Sequence, residues 1–511
     1  MRLSFLAIPI AFFSAGCSYD FCLDKLNGHC NIGDTGGGAG TTGTTTSSST
    51  GIPTGCELSE GKQVASECGV FVKAGGTGDG SQAKPLGDVS SAVTAAAQTQ
   101  RIYICGSDTF TGSVTLPSGV SIFGGLDCAT WSFAAAHAHP KLVSPPNLPT
   151  LTLSAGTAKS YLASLDLEAV MATDPGASSV VVYAEGAVVD VSSVTLTAGD
   201  GAKGSDGAAG GVQVATPAPG GSVGKVACTA PPDGGAASAV NTCDDGMSNG
   251  GKGGDGGPTI NGSGLNGSPG DANLGALPGF GEVGGAWSCA TSPGNGGGFP
   301  GTPGPDGPLG TGASTTELGT LPPTTYLNAA GHDGLKGTKG QGGGGGGGSK
   351  ANGICNGAGG GSGGAGGCGG KPGLGGEGGG SSIGIVSRGS TLTLTSVTVS
   401  LGHGASGGKG GDGQPGQGGG GKGAGGGLFG TVKKACDGGD GGQGGNGGSA
   451  GGGRGGHAFG IAFSGTAPAG SVTTTTAGSA GPGGLGGTNG SDQGGQGADG
   501  SATALQELVA Q

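Results

Sequence analysis

Apolar and polar residues alternate along much of the first half of the chain, and this two-residue period predicts short β-strands. Gly, Ser, Pro and Asp, which are typical of turns, separate the alternating segments. The alternating pairs are Ile102 and Ile104, Val114 and Leu116, Val120 and Ile122, Leu151 and Leu153, Leu165 and Leu167, Val180 and Val182, Val189 and Val191, and Val194 and Leu196. Strands this short and this closely spaced indicate either a β-sandwich or a stacked solenoid.

One segment has a helical period instead. Between Asp88 and Thr99 the apolar positions recur every three or four residues, at Val89, Ala92, Val93 and Ala96. Asp88 precedes the first of them, where its carboxylate can accept a hydrogen bond from an amide of the first turn. The pattern predicts one short helix with Asp88 as its N-cap.

The strand pattern is repeated later in the chain. Residues 178–207 align without a gap on residues 381–410 at an offset of 203, and eleven of the thirty positions are identical. A looser third copy runs through residues 460–463 and 471–473. Each copy is a pair of strands that ends in a glycine-rich tract. We therefore predict that the copies stack, so that Val194 and Val397 share one elongated hydrophobic interior.

The segments between the copies are rich in glycine, which accounts for 136 of the 511 residues, with a further 27 prolines. This composition excludes one compact core over the whole length. We expect the glycine-rich insertions to leave and return at one equivalent corner of the stacked strands, since long loops cost little more to close than short ones. Glycine recurs every third residue in 407–421 and 436–448.

Two interpretations of the glycine tracts remain open. A three-residue repeat matches the turn of polyproline II, so extended helices could lie side by side and pair through their backbones. The alternative is a solvated, disordered loop. The collagen-like run that begins at Gly298 has only five triplets, too few for an independent triple helix.

The first residues predict export. Residues 1–16 combine a positive start, an eleven-residue apolar run and a small-residue ending before Cys17. They resemble the signal and lipobox of bacterial lipoproteins, although Ser14 stands where an aliphatic residue is usual. The resemblance implies that Cys17 carries a lipid, and Ser18 after it favours the outer membrane. An ordinary secretory signal is the alternative. The Gly, Thr and Ser composition up to residue 55 predicts a flexible tether.

Cysteine number agrees with export. Apart from Cys17 there are twelve, an even number that fits disulfides in an oxidising compartment. No CxxC pair suggests zinc. The candidates are Cys22, Cys30, Cys56, Cys68, Cys105, Cys128, Cys228, Cys243, Cys289, Cys355, Cys368 and Cys436. Local pairings of Cys22 with Cys30, Cys56 with Cys68, and Cys228 with Cys243 are our hypotheses.

A family resemblance narrows the fold. Residues 70–131, which contain most of GVFVKAGGTGDGSQAKP and then IYICGSDTFTGSVTLPSGVSIFGGLDCATW, resemble the opening of the pectin-lyase-like superfamily. The resemblance implies an all-β fold, a right-handed parallel β-helix (solenoid) whose open end is capped by the short N-terminal helix. By composition the whole chain resembles glycine-rich bacterial surface lipoproteins of the PE-PGRS-like kind. It lacks the helical N-terminal module of true PE-PGRS proteins, so their functions are not carried over.

These observations predict eight segments along the chain. They are the signal peptide (1–16), the lipid anchor and tether (17–55), the N-terminal cap and β-helix coils (56–198), a glycine-rich insertion with cysteines (199–380), a coil (381–401), a second insertion (402–456), a third coil (457–477) and a glycine-rich tail (478–511).

Candidate metal and catalytic motifs are incomplete. GGKGGDGGP from Gly250 and GGKGGDGQP from Gly407 resemble the calcium-binding nonapeptide, but Gly257 and Gln414 replace its large apolar residue. We therefore interpret the aspartates of these motifs, Asp255 and Asp412, as solvated turn residues. His137 and His139 are expected in a surface loop, with no ligand pattern around them. We predict no metal and no cofactor.

The Gly-His-Gly around His403 resembles a polygalacturonase motif, but the paired aspartates that glycoside hydrolysis needs are absent. At the repeat offset, Thr393 replaces Asp190. We expect no catalytic residues and interpret His403 as a turn residue.

The expected function is therefore a non-enzymatic cell-surface lipoprotein with a structural, adhesive or interaction role. The alternative is a polysaccharide-binding or polysaccharide-cleaving protein, although aromatic platforms for sugars are few. The net charge of -12 and only four arginines argue against nucleic acid as a partner. The expected partners are a membrane, through the lipid anchor, and surface glycans or other envelope proteins.

Overall fold

The computed structural model describes residues 55–96, 100–229, 234–271, 276–322 and 325–508. The predicted signal peptide, the lipidation residue Cys17, and the pair Cys22 and Cys30 lie outside the described residues. So does the predicted tether, apart from its last residue.

The described chain contains one helix and twenty short strands. The helix is α1 (Val89–Ala95). The strands are β1 (Val70–Val72), β2 (Arg101–Cys105), β3 (Thr109–Thr111), β4 (Val114–Leu116), β5 (Ser121–Leu126), β6 (Lys141–Ser144), β7 (Leu151–Leu153), β8 (Lys159–Ala169), β9 (Ser179–Glu185), β10 (Val188–Ala198), β11 (Thr242–Cys243), β12 (Gly246–Met247), β13 (Ser382–Arg388), β14 (Thr391–Thr395), β15 (Val397–Leu401), β16 (Ala458–Ser464), β17 (Val472–Thr476), β18 (Thr488–Asn489), β19 (Asp492–Gln493) and β20 (Ala502–Glu507).

Most of the strands belong to two parallel sheets. The larger sheet has the order β1-β2-β5-β8-β10-β15-β17, with β3, β6 and β14 paired alongside. The second sheet has the order β20-β16-β13-β9-β7-β4. Two antiparallel ladders, β11 with β12 and β18 with β19, lie in the glycine-rich segments. The predicted β-rich class is confirmed, with parallel strands as its main feature.

Strand pairing follows the sequence repeat. On the larger sheet Thr195 pairs with Thr398, and on the second sheet Val182 pairs with Ile385, in each case 203 residues further along. The third copy continues the second sheet, where Ile385 pairs with Ile461. The offset found by aligning the sequence with itself is thus the register of the ladders.

One hydrophobic cluster runs between the two sheets. It contains Val194 and Val397 from the larger sheet and Val182 and Ile461 from the second, all of them buried. Apolar side chains from distant parts of the chain therefore share one interior, as predicted.

Helix α1 lies beside β1 and β4 at the first-strand end of this interior. Its N-cap is Asp88, whose Oδ1 accepts a hydrogen bond of 2.7 Å from the backbone nitrogen of Ser91. Val89 and Ala92 are buried in the same hydrophobic cluster. Both the predicted helix and its N-cap are confirmed within the described residues.

The glycine-rich insertions leave the sheets at equivalent positions, directly after β10, β15 and β17. The nitrogen of Gly201 donates to the carbonyl oxygen of His403 at 2.9 Å, and that of Gly404 donates to Ser479 at 2.8 Å. The two predicted insertions and the segment predicted as a tail therefore start side by side.

The last insertion ends in a strand that the sequence analysis does not predict. Strand β20 lies in the segment that we predict as a glycine-rich tail, and it pairs in parallel with β16. Leu505 is its single large aliphatic residue, so the alternating apolar signal is too weak to be recognised.

The glycine-rich segments assemble into a second, ordered part of the molecule, which we call the glycine body (residues 199–229, 234–271, 276–322, 325–381, 402–457 and 477–501). Its chain segments are extended and lie side by side. Segment 357–380 runs through the middle. Three successive backbone nitrogens of this segment donate to carbonyl oxygens of three different neighbouring segments. Gly364 donates to Gly439 at 3.0 Å, Ala365 to Pro219 at 3.0 Å, and Gly366 to Ser248 at 3.1 Å.

The same three neighbouring segments are contacted three residues earlier, where the nitrogens of Gly361, Ser362 and Gly363 donate to the carbonyl oxygens of Cys436, Ser222 and Gly251. A helix with three residues per turn gives this periodicity. The side-by-side pairing that we weighed in the sequence analysis is therefore confirmed for the described tracts, and the disordered alternative is wrong for them.

Close approach of the backbones explains why glycine is required. A Cβ atom on Gly364 would overlap the carbonyl oxygen of Gly420, and one on Gly367 would overlap that of Gln417. The interior of the glycine body is therefore filled by paired backbones. In most β-sheet proteins, side chains fill the interior.

Proline occupies the outer rows of the glycine body. The collagen-like run forms an outer segment in which Gly301 and Gly304 donate inward to Asp440 and Gln443, each at 2.8 Å. Pro300 and Pro303 are exposed on this segment. Because proline has no N–H, this outer row offers fewer donors to another chain.

Candidate interaction surface

Five disulfides cross-link the described residues. The local pairing of Cys56 with Cys68 is confirmed, and a second bridge joins Cys105 to Cys128. The other three lie in the glycine body and join Cys228 to Cys355, Cys243 to Cys368, and Cys289 to Cys436.

The hypothesis of a bridge between Cys228 and Cys243 is therefore wrong. Cys228 and Cys243 each form a disulfide with a cysteine more than 120 residues away, because the glycine body places distant segments next to one another. Such bridges are typical of an oxidising compartment.

The glycine body has a free end far from the sheets. Segment 402–427 runs from the sheet corner to this end without turning back. At about 3.1 Å per residue, its extended length is roughly 75 Å. Five turn regions meet there. We call them the distal tip, and they comprise residues 225–229, 258–262, 280–294, 350–356 and 427–437.

Side-chain contacts hold these turns together. The amide nitrogen of Asn352 donates to Oγ1 of Thr431 at 3.0 Å. Glu282 is buried between two other turns, where Oε1 lies 2.8 Å from Nζ of Lys433 and Oε2 accepts from the backbone nitrogen of Lys350 at 3.0 Å. The bridge from Cys228 to Cys355 joins a further pair. The tip is therefore a defined surface built from separate parts of the sequence.

Large apolar side chains are exposed on all five turns of the tip. Ile354 and Ile260 are the most accessible, at 86% and 82% of their full exposure. The complete set is Val226, Ile260, Phe280, Val283, Ile354, Leu428 and Phe429. An exposed apolar cluster of this kind commonly marks a contact surface.

Lysines accompany these apolar residues. The described residues of the tip include Lys225, Lys350, Lys433 and Lys434, with only two carboxylates, Glu282 and Asp437. Burial opposes ionisation of Asp437, but its hydrogen bond from the Gly425 nitrogen and the nearby lysines keep its pKa below the usual value. The tip is locally basic in a protein of net charge -12.

A groove on the 280–294 turn of the tip contains two aromatic residues. Phe280, Val283 and Trp287 line it, and its volume is about 500 Å³. The indole nitrogen of Trp287 donates to the carbonyl oxygen of Phe280 at 2.8 Å, so the polar edge of the ring is satisfied. What remains accessible is mainly the apolar part of the ring.

At the opposite end of the body, a buried polar cluster joins it to the second sheet. Nε2 of His457 lies 3.2 Å from Oδ1 of Asn328, and Nδ1 accepts a hydrogen bond of 2.9 Å from the nitrogen of Ser501. The amide of Asn328 donates to the carbonyl oxygens of Gly379 and Gly455 at 3.0 and 2.8 Å. The cluster thus fastens glycine segments to the start of β16.

Burial dominates the electrostatics of this cluster. Desolvation, helped by the positive charge of Arg454, lowers the pKa of His457 to about 3. Burial also raises the pKa of Tyr326, which packs edge-on against the His457 ring. Both groups are neutral at physiological pH, and their hydrogen bonds are structural.

The remaining histidine candidates do not converge. His139 faces Asp166, with Nδ1 and Oδ1 3.4 Å apart, whereas His137 contacts the carbonyl oxygen of Gly125 at 3.2 Å. His403 lies at the corner where the second insertion begins, and its Nδ1 is 2.8 Å from Oγ of Ser479. No group of three His, Cys, Asp or Glu side chains suited to a metal occurs among the described residues.

The aspartates of the nonapeptide-like motifs require a correction. They lie on extended segments, and they link chains. Oδ1 of Asp412 accepts from the nitrogen of Thr488 at 2.7 Å and pairs with Lys409 at 2.9 Å, while Oδ1 of Asp255 accepts from the nitrogen of Gly235 at 3.0 Å. These carboxylates accept hydrogen bonds from backbone nitrogens of neighbouring segments. The prediction that Asp255 and Asp412 are solvated turn residues is therefore wrong.

A short sequence signal accompanies this role. Lysine precedes aspartate by three residues, one turn of the extended helix, in four ion pairs of the glycine body. The pairs are Lys203 with Asp206, Lys252 with Asp255, Lys409 with Asp412, and Lys434 with Asp437. This three-residue spacing is the signal in the sequence that could have identified the role of these aspartates.

No helix in the described part of the chain is long and apolar enough to cross a membrane.

Comparison with known proteins identifies no relative of this chain. No family model matches the chain, and neither the curated proteins nor the solved structures contain a significant match.

Proposed function

We propose that this protein is a non-enzymatic, exported surface protein that presents the distal tip for contact at a distance from its point of attachment. The single observation that carries the proposal is the convergence of five separate turns, each with exposed large apolar residues, at the free end of a hydrogen-bonded body. Such an arrangement suits a structural, adhesive or interaction role.

We infer that the two parallel sheets are faces of a right-handed β-helix. Three observations support this inference. The register matches the repeat offset on both sheets, the sheets share one hydrophobic interior, and the insertions begin at equivalent corners. In a β-helix each coil would contribute one strand to each face, with α1 as the cap of the first coil.

Five disulfides support an extracytoplasmic location. We propose that Cys17 carries the lipid anchor, with the outer membrane as its destination, and that the tether up to residue 55 leads into the folded part. The described residues begin at Gly55, ahead of β1 in the larger sheet.

A polysaccharide-cleaving protein is the less favoured alternative. Asp190 faces Thr393 in the neighbouring strand, so the register does not align two carboxylates there. Trp131 is buried against Phe71 and offers no platform for a sugar. The partly exposed Trp287 in the groove on the 280–294 turn is the one observation in favour of glycan binding.

The test compares cells that display the full-length protein with cells that display the variant Leu428→Ser and Phe429→Ser. We expect the variant to lose attachment or cell aggregation at an unchanged surface level. A matched control is Leu309→Ser with Leu335→Ser, two exposed leucines on the body away from the tip. Equal attachment by both variants and the wild type, or turnover of a polysaccharide by the purified protein, would overturn the proposal.

A further inference from the structure

We propose that the partner of the distal tip is an anionic lipid surface. This inference rests on the display role proposed above and names the chemistry of what the tip contacts. The apolar side chains of the tip, the aromatic residues among them and the local charge each favour such a surface.

The apolar side chains are placed as a bilayer interface requires. Ile260, Ile354 and Val283 are each more than 70% exposed, and each stands on a different turn. Side chains at the ends of turns can enter the boundary between headgroups and acyl chains while the backbone stays in the headgroup layer. Transfer of such side chains from water to hydrocarbon is favourable in proportion to the buried apolar area.

Aromatic residues strengthen the same interpretation. Phe429 and Phe280 are 60% and 45% exposed. Trp287 lies beside Phe280, with its indole nitrogen already hydrogen-bonded to a backbone oxygen. Aromatic rings are the side chains that favour the interfacial layer of a membrane.

Charge selects the kind of lipid. The protein as a whole has a net charge of -12 and would be repelled by an anionic surface. At the tip, four lysines accompany two carboxylates among the described residues, and both carboxylates are held by lysine, Glu282 by Lys433 and Asp437 by Lys434. Basic residues next to apolar ones favour anionic over zwitterionic headgroups.

The tip is already organised for contact. Two disulfides each join a pair of its turns, from Cys228 to Cys355 and from Cys289 to Cys436. The buried Glu282 also ties its own turn to those of Lys350 and Lys433. Because these turns need little ordering on contact, less of the binding free energy is lost as conformational entropy.

The experiment measures sedimentation with vesicles of the chain from Ser18 onward, which lacks both the apolar run of residues 1–16 and the proposed lipid on Cys17. Vesicles are made of phosphatidylcholine alone or of phosphatidylcholine with phosphatidylglycerol. We expect binding to the anionic vesicles, weakened by added salt. Leu428→Ser with Phe429→Ser should weaken binding by more than about tenfold. Lys225→Gln with Lys350→Gln should weaken it by about tenfold on the anionic vesicles.

Controls separate folding from contact. Leu309→Ser with Leu335→Ser should bind like the parent chain, and circular dichroism should be unchanged for every variant. Ile354→Ser alone is a second tip variant at a highly exposed position, expected to weaken binding severalfold.

Two results would overturn the lipid proposal. One is that neither vesicle binds, and the other is that binding is indifferent to the tip variants. If the tip variants still abolish cell attachment while vesicles do not bind, the tip contacts a protein or a glycan, and the display role stands without the lipid. If attachment is also unaffected, both proposals fail.

Discussion

Val194 and Val397 lie 203 residues apart in sequence and belong to the same buried hydrophobic cluster. The strands that carry them, β10 and β15, are neighbours in the larger sheet. About two hundred residues of mostly glycine-rich chain leave this interior after the first valine and return before the second.

Truncation of either valine tests this shared interior. Val194→Ala and Val397→Ala should each lower the free energy of unfolding by about 2 kcal/mol, since each removes buried methyl groups and leaves a small cavity. Denaturant unfolding measures the change. Val212→Ala is the control, because Val212 is 86% exposed and its truncation should cost little. The double variant should depart from additivity, as contacting residues do. Full additivity would argue against a shared site.

Glycine at position 364 should be irreplaceable. Gly364→Ala forces a Cβ against the carbonyl oxygen of Gly420 and should destabilise the protein by about 3 kcal/mol or more. Gly421→Ala is the matched control on a neighbouring segment, where a Cβ meets no atom within 4 Å. That variant should be neutral or slightly stabilising. Thermal unfolding of the two variants would show the difference, and equal behaviour would contradict the tight backbone packing.

Disulfide connectivity can be checked by peptide mapping without reduction. We expect peptides that link Cys228 to Cys355 and Cys243 to Cys368. A peptide that joins Cys228 to Cys243, or free thiols at these four positions, would contradict the arrangement of segments in the glycine body.

The buried His457 should make stability depend on pH. Its folded pKa of about 3 lies below the usual value of 6.5, so the folded state binds fewer protons than the unfolded state. Its contribution is therefore complete above the unfolded pKa and is lost as the pH falls toward the folded one. From about pH 7 to about pH 5 the loss should be about 2 kcal/mol.

Denaturant unfolding at the two pH values measures this loss. In His457→Gln, which cannot titrate, the pH dependence over this range should be much smaller. His332→Gln is the control, because it replaces an exposed histidine, paired with Glu317 at the surface, and leaves His457 in place. The same pH dependence in His457→Gln as in the wild type would argue that His457 is accessible to water.

Local sequence signals were sufficient for the elements of the sheets. The apolar pairs at Ile102 and Ile104 and at Leu151 and Leu153 predicted strands that the structure contains, and Asp88 marked the start of the helix. These features depend on residues close together in sequence, where the period of apolar side chains determines the local backbone. The exceptions are β1, β3, β6 and β20, which do not alternate large apolar residues with polar ones.

The distal tip was not predicted. Ile260, Ile354 and Phe429 stand in different glycine-rich segments, and nothing in the residues around each one indicates that the others are near. Their proximity follows from how the glycine segments pair. Long glycine tracts have few side chains to distinguish one neighbour from another, so sequence reasoning cannot assign the pairing.

The order of residues along the chain is enough to specify most of the sheet strands, the repeat offset that is also the ladder register, and the three-residue period of the glycine tracts. Each of these is a periodicity, and a periodicity is visible without knowledge of the partners. The tertiary structure alone decided which glycine segments are neighbours, which cysteines pair and which turns form the distal tip. The physical reason is that these contacts are made largely through backbone groups, which are the same at every glycine, so only the assembled body selects among them.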